Sequence, residues 1–364
     1  MSTPIPGVTY VRSRLNPAEW LAPNRPSLLS GRDSLVLGTY IPGPGTTGVL
    51  PGTNLTAREA DSSGYVTLST PNQTIRDTEF WGTVQFNAPG IRLENCALRG
   101  KNPNLITTTS ECLRSYGANN YHGVLVDCTI DPMPWQDERG IPLKAILGVH
   151  GGNVELYRCE ITNVEDAWSH LGHSVMAGES SVRSHFSVLE QSWCHRMFFT
   201  NGPSVTQSGK RTHSDVFQIQ SGKNITIRGN MLGGARDMAG YRTWPNGYNS
   251  GDDAFNAAFQ VAQGVDASAD ALVENVIFDR NWVAGGTSGV NHSYSSARPN
   301  TFATMSVTNN RFFTRGTGWG AAANESGGYD SGDGFYVIRS DSLAAEYSGN
   351  VNHETGLPVT ITNG

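Results

Sequence analysis

The sequence predicts an all-β chain wound into a parallel β-helix, a solenoid with inserted loops and an extended N-terminal segment. Three observations predict it: a composition of strands and turns, a short pattern recurring at a nearly constant step, and one polar or thiol position repeated within that pattern. Among 364 residues there are 42 Gly and 18 Pro, with 37% hydrophobic and 16% charged. That is ample material for a large core, interrupted too often by turn formers for long helices. No Ala/Leu/Glu/Lys-rich stretch keeps a 3.6-residue period, whereas Val, Ile, Thr and Phe alternate with polar residues between Gly, Asn and Asp.

The recurring pattern is apolar-x-apolar-x-x-(Cys/Asn/Gln)-x-apolar. It fits IRLENCAL (91–98), VELYRCEI (154–161), FSVLEQSW (186–193), ITIRGNML (225–232), VIFDRNWV (276–283) and MSVTNNRF (305–312). Looser copies are QTIRDTEF (73–80), GVLVDCTI (123–130) and the region around Asn350. The sixth position then reads Cys96, Cys128, Cys159, Gln191, Asn230, Asn281 and Asn310, and its first three steps are 32, 31 and 32 residues. A period in this range marks a solenoid, whose units bury their apolar faces only by stacking on one another. A second strand precedes several copies by one turn: ILGVHG (146–151), FQIQSG (217–222), FQVAQG (259–264) and YVIRSD (336–341). Two or more short strands per coil without a helical crossover suit a parallel β-helix better than a propeller, whose blades need antiparallel hairpins.

The repeated position has a physical meaning. Coils stack at ~4.8 Å, so each turn residue sits above its counterpart. Inward Asn side chains can then hydrogen-bond along the stack and satisfy buried turn backbone. Cys in the early coils is a small buried substitute. The five cysteines, an odd number without CxxC or Cys/His metal spacing, are expected to be structural and reduced.

Three segments are expected: a Pro-rich docking or capping segment at 1–52, the β-helix at 53–352 and a tail at 353–364. The formal net charge of -6 argues against a nucleic-acid binder, which normally shows a basic excess or stripe. The N-terminus lacks the basic-then-apolar run of a signal peptide, and no apolar run approaches ~20 residues. Neither Sec export nor membrane insertion is expected.

The VxIxxN-type strands, inward turn Asn and coil length resemble the right-handed parallel β-helix, or pectin-lyase-like, superfamily over residues 73–350. TTGVLPGTNLT (46–56) and the sequence from Gly64 to Gly100 also resemble β-helix proteins of actinobacteria and their phages. That resemblance implies a tail-associated virion protein, a homotrimer with its N-terminal segment docked to other tail proteins. It further implies binding of host cell-surface polysaccharide, with depolymerisation left open. The alternatives are a non-catalytic structural or adsorption component, and a stand-alone polysaccharide lyase or glycoside hydrolase.

After Gln191 the steps grow to 39 and 51 residues, so insertions fall mainly between Ser192 and Ala257. Loops added to a rigid scaffold are where sites concentrate. The insertions carry Tyr241, Trp244 and Tyr248 with Arg242 and Lys210, a mixture suited to sugar rings and hydroxyls. Hydrolysis requires two carboxyls about 5–9.5 Å apart across a glycosidic bond. Asp166 (beside Glu165), Asp215, and Asp252 with Asp253 fall near strand mouths in three successive coils, candidates for general acid and base. A lyase needs a base and a cation to stabilise an enolate-like intermediate. Arg211 and His213, with Lys210, supply those groups. No cofactor is expected; a Ca²⁺-dependent version would draw on the close pair Asp252 and Asp253. HSD followed one coil later by GDD weakly resembles the polygalacturonase carboxylates, without the family's Gly-His-Gly or Arg-Ile-Lys. A capping role for Asp215 stands beside the catalytic one: setting Phe335 of SGDGFYVIRS (331–340) on Phe217 places Asp333 on Asp215.

Overall fold

The computed structural model describes residues 42–43, 46–102, 110–115, 121–132, 146–170, 186–195, 197, 215–233, 257–262, 273–284, 288–293, 305–312, 336–339, 345–352 and 355–359. All its regular structure is β. Strands recur in the fixed order sheet I, sheet II, sheet III, and every pairing between named strands is parallel with the next coil. Sheet I has ten strands, from Thr56–Glu59 to Val351–Asn352. Sheet II has nine, from Tyr65–Leu68 to Tyr336–Arg339, and sheet III nine, from Thr74–Arg76 to Ala345–Ser348. The fold is a parallel β-helix with three strands per coil. Among the described residues no helix is long and apolar enough to cross a membrane.

Alternation explains the sheets. In VTLS-like strands one residue in two points inward, so Val66 and Leu68 are buried while Thr67 is exposed. Inward positions stack from coil to coil, Trp168 on Phe217 with ring centroids 5.0 Å apart and Phe217 on Phe259 at 6.5 Å. Within one coil, Phe259 of sheet II meets Phe278 of sheet III across the core at 4.8 Å. Such pairs add ~0.5–1.5 kcal/mol each beyond the area they bury. Trp168 meets its one polar requirement by donating Nε1–H to the Gly151 carbonyl at 2.9 Å. At Gly123 a Cβ would fall 1.9 Å from the Phe86 ring, so the missing side chain is what admits that ring.

The turn from sheet III to sheet I carries the repeated position. Each turn residue just before it is left-handed: Asp77, Asn95, Asp127, Arg158, Gln191, Gly229, Arg280, Asn309 and Gly349 all have φ between 48° and 67°. This row corrects the sequence register in one coil. Ser187 pairs with Val154 and Glu190 with Tyr157, so Gln191 is the left-handed turn residue and Ser192 is the rung. Ser192 Oγ accepts the Cys159 amide at 3.0 Å, and the Ser192 amide donates to Asn230 Oδ1 at 2.9 Å. The apolar Phe186 draws the pattern one residue early, because this coil opens on a buried Ser187 where Ile91, Val154, Ile225 and Val276 stand in other coils.

From Asn230 the rungs form one continuous chain. Each Oδ1 accepts the preceding rung's backbone amide: Asn281 from Asn230 (3.1 Å), Asn310 from Asn281 (2.8 Å) and Asn350 from Asn310 (3.1 Å). Each Nδ2 donates to a carbonyl one coil back, as Asn281 does to Ile227 at 2.9 Å. In the early coils sulfur takes the acceptor role, Cys128 Sγ receiving the Cys96 amide at 3.4 Å. All five cysteines are buried and free, as expected of structural thiols. Burial pushes the Cys112 and Cys128 thiols well up, and Cys96 is raised chiefly by its contact with Cys128.

The described part of the N-terminal segment is a strap that crosses the coils. Leu50 donates its amide to Asn95 Oδ1 (2.7 Å), Val49 to Thr129 Oγ1 (2.9 Å) and Gly48 to the Arg158 carbonyl (2.9 Å). One residue of strap thus advances about one coil. Gly48 is required there twice over: its φ is +75°, and a Cβ would lie 2.5 Å from Thr129 Oγ1 and 2.9 Å from Glu160 Oε2. Beneath it Arg158 is buried and forks onto Asp127, Nε to Oδ1 at 2.8 Å and Nη2 to Oδ2 at 2.9 Å.

Candidate functional site

Of the candidate residues, Asp166 and Asp215 lie within the described structure. Lys210, Arg211, His213, Tyr241, Arg242, Trp244, Tyr248, Asp252 and Asp253 lie outside the described residues. Asp215 opens the sheet II strand Asp215–Ile219, and Asp166 precedes the strand Trp168–His170 one coil earlier. Both are buried. Their oxygens are used in series: Asp166 Oδ1 accepts the Asp215 amide at 2.7 Å, and Asp215 Oδ1 accepts the Ala257 amide at 2.9 Å. Asp215 Oδ2 also receives Gln218 Nε2 at 3.3 Å. This is the capping role anticipated for Asp215, a carboxylate spent on the backbone amide that opens the next strand.

The comparison that suggested that role does not survive. Asp215 pairs with Ala257, Ala257 with Ser288 and Ser288 with Tyr336. The counterpart of Asp215 in the later coil is therefore Tyr336, and Ile338 is the counterpart of Phe217. The slip is three residues, which would exchange inward and outward faces in an alternating strand; here Phe335, Tyr336, Val337 and Ile338 run consecutively, so the sequence offers no alternation to fix the register.

Burial, and then the neighbouring Asp215 and Glu165 charges, hold the Asp166 carboxyl well above the ordinary carboxylate range. Asp166, with its raised proton affinity, thus lies one coil away from a second carboxyl. One coil step of ~4.8 Å is close to the ~5–5.5 Å separation of carboxyls in retaining glycosidases.

Sequence reading missed the feature that runs the full length of the same sheet. The outward residue of each sheet II strand pairs in register with the next: Thr67, Gln85, Arg114, His150, Ser169, Gln218 and Gln260. The backbone register continues to Asn291. Every one of these seven is a hydroxyl, amide, imidazole or guanidinium. The signal was present in FQIQSG and FQVAQG, whose second residues stack directly as Gln218 on Gln260. The equivalent outward row on sheet III reads Thr74, Arg92, Val124, Glu155, Val188, Thr226, Ile277, Ser306 and Glu346, a polar row broken by three aliphatic residues. On sheet I it reads Glu79, Ala97, Thr129, Glu160, Trp193, Met231, Trp282 and Arg311, with its large apolar residues in three consecutive coils.

Beside the row, Glu111 is buried and contacts Arg114 Nε, with His150 Nδ1 3.7 Å away. Burial alone would raise its carboxyl, but the His150 hydrogen bond and the Arg114 charge outweigh it and hold the group below its ordinary value. Among the described residues no cluster of three or more His, Cys, Asp or Glu is arranged to hold a metal ion. No protein-family model matches the chain, and no curated protein matches it.

Proposed function

We propose that the protein binds an extended polysaccharide along the outer face of sheet II. One observation carries this reading: an unbroken polar row from Thr67 to Gln260, where the corresponding rows of the other two sheets are interrupted by aliphatic or aromatic side chains. Thr67 is exposed and Gln85, Arg114, His150 and Gln218 are half-buried, while Ser169 and Gln260 are buried. The accessible members offer donors and acceptors along one line at multiples of ~4.8 Å, an arrangement that a chain of sugar hydroxyls matches. Arg114 and His150 add sites for acidic groups. The connections at 196–214 and 234–256 enter this sheet, and they contain Lys210, Tyr241, Arg242, Trp244 and Tyr248.

A host cell-surface glycan, a tail-associated place in a virion and a homotrimer follow from the resemblance to right-handed, pectin-lyase-like phage β-helices. Cleavage is a second reading, favoured by the raised proton affinity of Asp166 one coil from Asp215. The test is incubation with a panel of purified bacterial surface polysaccharides. Retention of the protein on one of them supports binding. New reducing ends identify a hydrolase and new double-bond absorbance a lyase, while binding without either leaves an adhesin. If no member of the panel is bound, the glycan reading fails and a purely structural role replaces it.

A further inference from the structure

The inward row of sheet I changes character at both ends of the solenoid. From Phe80 through Leu98, Ile130 and Ile161 to Phe312, every inward residue is a hydrocarbon side chain or the Cys194 thiol. In the first coil the same position is Arg58, and in the last it is Asn352. The first coil keeps apolar residues at the inward positions of the other two sheets, Val66 and Ile75. Arg58 lies over the next inward residue, its Cζ 5.9 Å from the centroid of the Phe80 ring.

This end of the solenoid is open to hydrogen bonding. Thr56 and Ala60 donate their amides to the Asp77 and Trp81 carbonyls of the second coil, so the amides of Ala57 and Glu59 face away from it. All four residues of Thr56–Glu59 are exposed, and the inward Ile75 is only half-buried. The strap reaches this coil along the side of the solenoid, through Leu50 at Asn95. An open strand edge beside a partly bared core is a template for another chain. At the far end of sheet I the chain closes the edge itself. Val351 bridges antiparallel to Pro358, Asn352 donates its amide to the Leu357 carbonyl at 2.8 Å, and Pro358 has no amide to offer a further strand.

We propose that Arg58 is a gatekeeper, an inward-pointing charge that keeps two copies of this chain from pairing first coil to first coil. Joining those ends would align two open strand edges and two apolar cores. It would also bring two guanidinium groups, one from each copy, together inside the joined core, and burying like charges there opposes the union. An inward charge on an edge strand is one of the ways in which β-proteins blunt such edges. The solenoid therefore meets partners, further copies of itself included, through its sides. This inference stands independently of the glycan reading.

The experiment is analytical ultracentrifugation of the full chain over a range of concentrations, for wild type, Arg58→Leu and Arg58→Lys. Arg58→Leu continues the hydrocarbon row to the end, and it should reach about twice the mass of the wild-type species as concentration rises, as a closed two-fold pair does. Arg58→Lys should keep the wild-type mass. Adding Ala57→Pro removes an edge amide that makes no bond to the second coil, and should return Arg58→Leu to the wild-type mass. Arg58→Leu at the wild-type mass throughout, or a double variant that still pairs, would overturn the proposal.

Discussion

Replacing Asn281 with Ala removes one rung from the middle of the ladder. The side chain makes four bonds: it accepts the Asn230 amide (3.1 Å) and Asn230 Nδ2 (3.0 Å), and it donates to the Ile227 carbonyl (2.9 Å) and Asn310 Oδ1 (3.1 Å). All of them are buried. Orphaning the Asn230 amide costs ~1–3 kcal/mol, and three further bonds contribute ~0.5–1.5 kcal/mol each. The expected loss is about 3–7 kcal/mol. Asn281→Cys is the informative control, because sulfur accepts a rung amide at Cys128. It restores the acceptor and recovers ~1–3 kcal/mol of that loss. Urea unfolding measures the total. Because stacked coils open locally, amide exchange at Asn230 reads the rung itself. If Asn281→Ala costs under ~1 kcal/mol and leaves Asn230 as protected as before, the ladder does not hold the turns and the reasoning is refuted.

Asp166→Asn keeps an acceptor for the Asp215 amide while removing a buried ionisable group. A carboxyl whose folded pKa is raised contributes stability fully present below its ordinary value of ~3.9 and lost as pH rises through the folded value. The variant should therefore lose less stability than wild type as pH rises. Asp166→Ala should share that flatter profile but lie ~1–3 kcal/mol below Asp166→Asn at every pH, because it lacks the acceptor; melting across a pH series separates them. Glu111 has the opposite sign, since its carboxyl is lowered in the fold. Its contribution is present above ~4.3 and lost as pH falls through the folded value, so Glu111→Gln should flatten the acid limb of the same series. Gly123→Val must displace the Phe86 ring and should cost at least ~1–3 kcal/mol by overpacking, measured by chemical unfolding.

The solenoid was legible because its signal is redundant. Val154, Ile225, Val276 and Met305 recur at one inward position of sheet III, and the rung follows five residues later in each of the eight coils from Cys96 to Asn350. Where that redundancy lapsed, the reading slipped. Ser187 in place of an aliphatic shifted one rung from Ser192 to Gln191, and SGDGFYVIRS allowed Asp333 to be set where Tyr336 belongs. The candidate site was legible only as residue chemistry. Asp166 and Asp215 do come together at one sheet mouth, but their oxygens cap the backbone, which no local sequence reveals. The polar row on sheet II depends on register across seven coils, and so emerges only when the strands are stacked.

The most direct test of the central claim is the affinity of sheet II variants for a polysaccharide bound by the wild-type protein. Gln85→Ala with Gln218→Ala removes two half-buried amides from the row, and Thr226→Ala with Ser306→Ala makes a comparable change on the outer face of sheet III. Titration calorimetry should show the first pair weakening binding about tenfold, as expected for two hydrogen bonds at ~0.5–1.5 kcal/mol each. The second pair should leave the affinity unchanged. Equal affinity for wild type and both variants would contradict a glycan bound along sheet II.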